Sequence, residues 1–99
     1  MHPTRATGFE WDEYNMEHLA DHGIAPWEAE EVCFNHPVWL PDEGFRVDRW
    51  KAIGRTDSGR YLTVVVQVKD SGDTLRPFTG WPWVDEERAH YRKQRGEMR

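Results

Sequence analysis

The sequence contains one cysteine and no long apolar run, and each scarcity excludes some classes of protein. Cys33 cannot form an internal disulfide, which fits a reducing cytoplasm rather than an oxidising compartment. No segment approaches the roughly 20 apolar residues that cross a bilayer, and none has the basic start and apolar centre of a signal peptide. We therefore expect a soluble, cytoplasmic protein that does not associate with membranes.

Apolar residues are also scarce, at 37% of the chain, but the aromatic residues offset this scarcity. The 99 residues include six Trp, four Phe and three Tyr. Because each of these side chains can bury more area than an aliphatic one, a compact core is feasible at this length. We expect a single domain over residues 9–95, with flexible tails at residues 1–8 and 96–99.

Basic residues are almost absent from the first half of the chain. Residues 1–45 contain Arg5 as their one basic residue against ten acidic ones, whereas residues 46–99 contain twelve basic and eight acidic residues. The net charge of −5 excludes nucleic-acid binding through a generally basic surface, but a clustered basic patch in the second half remains open. The acidic residues are equally consistent with the solvated faces of two helices.

Two helices are predicted for the first third of the chain. Asp12 is a suitable N-cap for a helix over residues 12–22, because its carboxylate can accept hydrogen bonds from the free amides of the first turn. The spacing of the apolar residues assigns Met16 to the inward face of this helix. A second helix over residues 26–35 begins at a proline, which suits the first helical position, and turns Cys33 inward.

The rest of the chain alternates strand patterns with turns. After a short strand at Phe9, further strands are expected over residues 38–40, 47–53, 61–68 and 74–79, with a loop at 41–44, a break at 80–83 and a last helix over 85–94. β-branched residues dominate the strand over 61–68, which is typical of a central strand. The order β-α-α-β-β-β-β-α predicts an α+β fold in which a helix pair packs on an antiparallel meander.

In this order and spacing, the chain resembles the BrnT family of bacterial toxins, which have a RelE-like fold. The resemblance covers residues 9–91 and rests on the segments Phe9-Glu10-Trp11-Asp12-Glu13, His22-Gly23-Ile24, Trp27-Glu28-Ala29 with Glu31-Val32, Arg49-Trp50-Lys51-Ala52-Ile53-Gly54-Arg55 and Gly59-Arg60-Tyr61-Leu62-Thr63-Val64-Val65. It implies the toxin of a type II toxin–antitoxin module, a ribonuclease that needs no metal or other cofactor and that blocks translation. It also implies an antitoxin partner, expected to be a DNA-binding protein with a ribbon-helix-helix pattern.

The sequence departs from the family at three places. Thr79-Gly80-Trp81 stands where the last strand of the family commonly ends in Ser-Ala-Arg, so that Trp81 replaces an arginine. Ala20-Asp21 stands where relatives carry lysine and arginine, and Val84 where a threonine often caps the last helix, a role that Asp85 could take. These departures favour a second hypothesis, a catalytically weakened homologue that binds protein and nucleic acid within a repressor complex.

Cleaving RNA through its 2′-hydroxyl requires a proton acceptor, cations around the phosphate and an acid for the leaving oxygen. Our hypothesis is that Arg76, together with Arg60 or Arg55, binds the scissile phosphate, while His22 or Tyr91 transfers a proton. His90 is a further candidate for the cleavage chemistry. The candidates for contact with RNA are Trp81 and Trp83, which could stack on bases, and the cationic residues Arg49, Arg88 and Arg92.

Each of these candidates also has a structural interpretation. An arginine on a strand is often an exposed ion-pair partner, a histidine at a helix end can interact with the helix dipole, and Tyr91 and the two tryptophans can be packing residues. The last helix carries a basic run that can be a solvated C-terminus, can contact the RNA backbone or can dock an acidic partner: Arg88, Arg92, Lys93, Arg95 and Arg99. Four residues could in principle bind zinc, although no spacing unites the two pairs and no metal is expected: His18, His22, Cys33 and His36.

Overall fold

The computed structural model describes residues 2–42 and 48–95, which form one sheet and three α-helices. The elements in chain order are β1 (Gly8–Phe9), α1 (Glu13–Asp21), α2 (Pro26–Phe34), β2 (Val38–Pro41), β3 (Arg49–Arg55), β4 (Tyr61–Lys69), β5 (Thr74–Pro82) and α3 (Asp85–Gln94). The predicted order and the α+β class are confirmed. Three predicted features lie outside the described residues: the second half of the loop (43–44), the start of the third strand (47) and the C-terminal tail (96–99).

The five strands lie in the order β1-β5-β4-β3-β2. The last four strands of the chain form the predicted antiparallel meander, and β1 is added to its edge in parallel with the first residues of β5. The central strand, β4, is buried on both faces, since Val64 and Val66 on one face and Thr63 and Val65 on the other are at most 3% exposed.

Helices α1 and α2 cover one face of the sheet and build the main core with it. The buried residues of this core are Leu19, Ile24, Ala29, Val32, Cys33, Ala52, Leu62, Val64, Val66, Val68 and Leu75. Burial of Cys33 is confirmed, but the prediction for Met16 was wrong, because this side chain is 37% exposed. The corresponding buried position belongs to Asn15, whose amide donates to the carbonyl oxygens of Glu10 and Pro77 at 3.0 and 2.7 Å.

The cap of α1 forms as predicted. The carboxylate of Asp12 accepts from the amide of Asn15 at 3.1 Å, and the Asn15 side chain accepts in return from the amide of Asp12 at 2.8 Å. Gly23 follows the helix with a φ of +73°, a conformation that glycine adopts at low energy. The two ends of α1 are therefore set by local interactions that can be predicted from the sequence.

The predicted break at residues 80–83 was wrong, because β5 continues to Pro82. Gly80 pairs with Val64, and a Cβ at Gly80 would lie 2.8 Å from the carbonyl oxygen of Thr63 and 2.9 Å from Cδ1 of Ile24. The glycine therefore allows close packing of the strand against α1 and the loop after it, rather than ending the strand.

The start of α3 also differs from the prediction, since Val84 and not Asp85 is its N-cap residue. Valine has no capping oxygen, and the cap is completed from the other side: the carboxylate of Glu87 accepts from the amide of Val84 at 3.1 Å. Glu87 is only 5% exposed and also accepts from the indole of Trp81.

The first residues of the described chain are packed rather than frayed. Residues Pro3–Arg5 form a 3-10 turn, Pro3 is buried, and the ring of His2 lies edge-on to Trp50 with 4.8 Å between centroids. These contacts are not those of the flexible tail expected there. Among the described residues, no helix has the length and apolar character needed to cross a membrane.

Candidate nucleic-acid-binding site

Arg76 is held in an ion-pair cluster at the edge of the sheet. Its guanidinium lies 2.9 Å from a carboxylate oxygen of Asp12 and 3.2 Å from one of Glu10, which is also bound by Lys69 at 2.9 Å. The hydrogen bond from Arg76 lowers the pKa of Asp12, and the bond from Lys69 is the main cause that lowers the pKa of Glu10. Arg76 therefore joins the cap of α1 to β5, which is the structural interpretation of this residue.

Arg60 is held in a similar way on the helix side of the sheet. Its guanidinium lies 2.9 Å from a carboxylate oxygen of Glu28 on α2 and donates to the carbonyl oxygen of Gly23 at 3.0 Å. Arg60 thus links the α1–α2 connection to the hairpin before β4.

The hypothesis that Arg76 and Arg55 share one phosphate does not fit the sheet register. Arg55 pairs with Tyr61 and Arg76 pairs with Gln67. Six residues of β4, about 20 Å at ~3.3 Å per residue, separate the two positions. This separation is too large for both guanidinium groups to contact one phosphate.

Other predicted residues do come together, in a cavity of about 330 Å³ between the end of the sheet and α3. Four arginines and three aromatic residues line it: Arg55, Tyr61, Trp83, Arg88, Tyr91, Arg92 and Arg95. Arg55 and Tyr61 enter from β3 and β4, on the face opposite to α1 and α2, and Trp83 follows directly after β5. The remaining four residues come from α3 and its C-cap at spacings of three or four, so that they share one face of the helix. We call this cavity the arginine-aromatic pocket.

The aromatic side chains of the pocket form a continuous column of ring contacts. Tyr61 stacks on Trp83 with 4.7 Å between centroids and 28° between planes, and Trp83 contacts Tyr91, also at 4.7 Å. The guanidinium of Arg95 lies 4.8 Å above the centroid of Tyr91 and donates to the carbonyl oxygens of Asn35 and His36. The indole of Trp83 donates to the carbonyl oxygen of Leu62 at 2.9 Å, which fixes the column to the sheet.

The pocket concentrates positive charge without compensation from the described residues. Arg55, Arg88 and Arg92 are exposed, and none of them has a carboxylate within ion-pair distance in the part of the chain that the structure describes. Neither a carboxylate nor a histidine is among the seven residues that line the pocket. Adjacent guanidinium groups without carboxylate partners are suited to bind phosphate oxygens, often in a bidentate way.

The remaining predicted residues lie outside this pocket. Arg49 stacks its guanidinium 4.4 Å from the centroid of Phe78 and lines a separate cavity of about 290 Å³ that Arg76 also lines. Trp81 donates to both carboxylate oxygens of Glu87, at 3.1 and 2.9 Å. His22, the C-cap of α1, packs its ring against His18, with 5.5 Å between ring centroids, and His90 is exposed on α3.

The four residues considered for zinc are not brought together. Among the described residues, no group of three or more His, Cys, Asp or Glu side chains could hold a metal ion. Cys33 is buried in the core, and burial raises the pKa of its thiol, which opposes the thiolate form that zinc binds.

Sequence reasoning missed Tyr61 as a pocket residue and named Arg95 only within the basic run of the last helix. The position of Tyr61 could have been predicted from the hairpin. The first residue of a strand pairs with the last residue of the preceding strand across a short hairpin, so Tyr61 lies opposite Arg55. Arg95 lies four residues after Tyr91, one helical turn away, so its position above that ring also follows from spacing once the helix is known.

Comparison with known proteins shows a likeness in fold. No family model matches the chain, and no curated protein matches it. Among solved structures, the ribonuclease toxin BrnT of Brucella abortus is similar to this chain, with 20% sequence identity and a TM-score of 0.60. The match covers 81% of this chain and 100% of that one. The three helices and five-stranded sheet described above thus have the fold of the BrnT ribonuclease toxin.

Proposed function

We propose that this chain is the toxin of a type II toxin–antitoxin module and that it cleaves RNA in the arginine-aromatic pocket without a metal ion. One observation carries the proposal: three exposed arginines without carboxylate partners in the described chain share a pocket with a tyrosine hydroxyl and stacked aromatic rings. The likeness in fold to a ribonuclease toxin supports the same activity. The site of action would be the cytoplasm, where the RNA that is being translated lies.

The chemistry would be an attack of the 2′-hydroxyl on the adjacent phosphate. A bond forms between the 2′-oxygen and phosphorus, the bond to the 5′-oxygen breaks, and the products are a 2′,3′-cyclic phosphate and a 5′-hydroxyl. Arg55, Arg88 and Arg92 would stabilise the charge that develops on the phosphate oxygens. The hydroxyl of Tyr91 would supply the proton that the leaving 5′-oxygen needs, while the 2′-hydroxyl would lose its proton to solvent.

The test compares arginines inside and outside the pocket. Arg55→Met and Arg88→Met should each slow cleavage of RNA by the purified protein by about 10²–10³-fold, as the loss of one donor to a developing oxyanion does. Both variants should also relieve growth arrest when they are expressed. Arg5→Met removes the same charge on the packed N-terminal segment, outside the pocket, and should cleave RNA like the wild type. Full activity in the two pocket variants would contradict the assigned site.

A second candidate function is a binding protein without ribonuclease activity. The specific observation in its favour is that no histidine or carboxylate lines the pocket, so the usual side chains for proton transfer near neutral pH are missing there. Under this alternative the folded wild-type protein binds RNA or a protein partner, leaves RNA intact and does not arrest growth. The same induced-expression and cleavage assays decide between the two functions.

The partner that follows from the proposed function is a DNA-binding antitoxin, expected to have a ribbon-helix-helix pattern. Its reading frame would lie next to that of this chain. Co-expression of the two proteins should restore growth and yield a complex that purifies together, whereas co-expression of an unrelated ribbon-helix-helix protein should do neither.

A further inference from the structure

The column of ring contacts in the arginine-aromatic pocket has one closed end and one open end. Arg95 closes it at Tyr91, and the hydrogen bonds from Arg95 to two backbone carbonyls hold that end in place. Trp83 lies in the middle of the column, because it contacts both Tyr61 and Tyr91. Tyr61 is at the other end and is 48% exposed, whereas Trp83 and Tyr91 are only partly exposed, so Tyr61 offers a ligand the most accessible ring of the column.

Tyr61 is also held rigidly enough to serve as a stacking surface. It is the first residue of the central strand and pairs with Arg55, and its carbonyl oxygen accepts from the amide of Trp83 at 3.2 Å. Its ring is packed against Trp83, whose indole is fixed by a hydrogen bond to the backbone of β4. A base that stacks on Tyr61 therefore meets a ring already positioned by the sheet, and little side-chain entropy is lost on binding.

The same cavity supplies sites for an anion. Arg55, Arg88 and Arg92 line it beside the column, and its volume of about 330 Å³ is at the lower end of the range that holds small ligands, roughly 300–1,000 Å³. The lining thus combines one accessible flat ring with several guanidinium groups. A single nucleotide is a chemical unit of small size that presents both a flat ring and an anionic group.

We propose that the pocket holds one unstacked nucleotide of a single strand, with its base on Tyr61 and its phosphate among Arg55, Arg88 and Arg92. Tyr61, rather than Trp83, is then the residue that selects the substrate. Purines should be preferred because their larger rings overlap a tyrosine ring more fully, and a base paired in a duplex is excluded because its faces are already stacked. This inference rests on the proposed function for the nature of the strand, but binding as such does not require cleavage.

The experiment measures binding of oligonucleotides that the protein cannot cleave. Fluorescently labelled 2′-O-methyl oligoadenylate and oligouridylate of equal length are titrated with the full chain, and binding is followed by anisotropy. Tyr61→Leu removes the aromatic ring, Tyr61→Phe keeps it, and Tyr14→Leu removes an exposed tyrosine of α1 that lies outside the pocket. Circular dichroism establishes that each variant is folded.

We expect the wild type to bind oligoadenylate more tightly than oligouridylate. Tyr61→Leu should weaken binding of oligoadenylate by roughly 5- to 150-fold, as the loss of one base stack does, and should reduce the preference for purines. Tyr61→Phe and Tyr14→Leu should bind like the wild type. Arg55→Met should weaken both oligonucleotides to a similar extent and lower the salt dependence of binding, because it removes a contact to phosphate.

Two results would overturn the proposal: equal affinity of Tyr61→Leu and the wild type for oligoadenylate, or binding of an adenine-containing duplex as tightly as the single strand. A failure of the proposed function is a different result. If the wild type shows the purine preference and its dependence on Tyr61 but leaves natural RNA intact, the ribonuclease assignment is wrong and the nucleotide site stands. If RNA is cleaved but neither binding nor cleavage depends on Tyr61, the ribonuclease assignment stands and the nucleotide site is wrong.

Discussion

Removal of the Glu87 carboxylate tests how α3, and with it most of the arginine-aromatic pocket, is held on the sheet. The carboxylate is almost fully buried and accepts from two donors of different elements. One is the amide of Val84 at 3.1 Å, which completes the cap of α3, and the other is the indole of Trp81 at the end of β5, at 2.9 and 3.1 Å from the two oxygens. Glu87→Ala leaves both donors without this acceptor.

The expected loss of stability follows from these two contacts. Loss of a capping interaction lowers the free energy of unfolding by about 0.5–2 kcal/mol, and loss of a hydrogen bond to a charged group lowers it by about 1.5–3 kcal/mol. Together they predict that Glu87→Ala is destabilised by about 2–5 kcal/mol. In a domain of this size about 1 kcal/mol corresponds to a change in Tm of ~4–8 °C, so Tm should fall by about 8 °C or more.

The control is the neighbouring residue Glu86, which is exposed in the same first turn of α3. Glu86→Ala loses only the interaction with the helix dipole, about 0.3–1 kcal/mol, and Glu87→Gln, which keeps one acceptor oxygen, should lie between the two alanine variants. Urea denaturation followed by circular dichroism measures all three. If Glu87→Ala and Glu86→Ala lose the same stability, the contacts of Glu87 do not hold α3 and the reasoning is refuted.

Three further predictions follow from the packing of the fold. Gly80→Ala should lower the free energy of unfolding by about 1–3 kcal/mol because the new Cβ meets the backbone of β4, whereas Gly8→Ala, with open space around it, should change it little; equal thermal stability of the two variants would contradict this. The ion pair with Arg76 lowers the pKa of Asp12 in the folded protein below its ordinary value of 3.8. The ion pair therefore stabilises the fold fully above about pH 4, and this stabilisation is lost as the pH falls through the folded-state pKa. Acid titration of Tm should therefore show a steeper decline below about pH 4 for the wild type than for Arg76→Met, and parallel curves would count against the ion pair. Cys33, buried and with a raised pKa, should react with a thiol reagent in urea but not in the native protein, and rapid native labelling would exclude its burial.

The order of elements was predictable because the signals for it are local. The side-chain cap at Asp12, the turn glycines and the run of β-branched residues in β4 each act within a few residues of the chain, and the structure follows all of them. The error at Gly80 has the opposite origin. The reason for that glycine is the approach of Thr63 and Ile24, which lie 17 and 56 residues away in sequence, and no local pattern reports such a contact.

The candidate site was predictable only in part, for the same reason. An arginine on a strand has the same local pattern whether it faces a carboxylate or solvent. Arg76 is neutralised by Asp12 and Glu10, which precede it by more than 60 residues, whereas Arg55 meets no carboxylate of the described chain. Which arginines remain available to a phosphate is therefore decided by tertiary pairing, and sequence reasoning alone could name the candidates but not choose among them.

The contacts of Trp81 can be understood together with the charge distribution. Trp81 does not supply a cation to the sheet; it donates a hydrogen bond to Glu87 and so helps to fix the start of α3. The cations of the pocket come instead largely from α3, on the face of the sheet opposite to α1 and α2. Residues 10–31 on the α1–α2 side contain eight acidic residues and no lysine or arginine, and three of these carboxylates (Glu10, Asp12 and Glu28) are paired with cations of other elements. In a chain with a net charge of −5, attraction of a polyanion depends on local clusters of cations such as the arginine-aromatic pocket. Binding there should weaken steeply as salt screens the three arginines that lack carboxylate partners among the described residues.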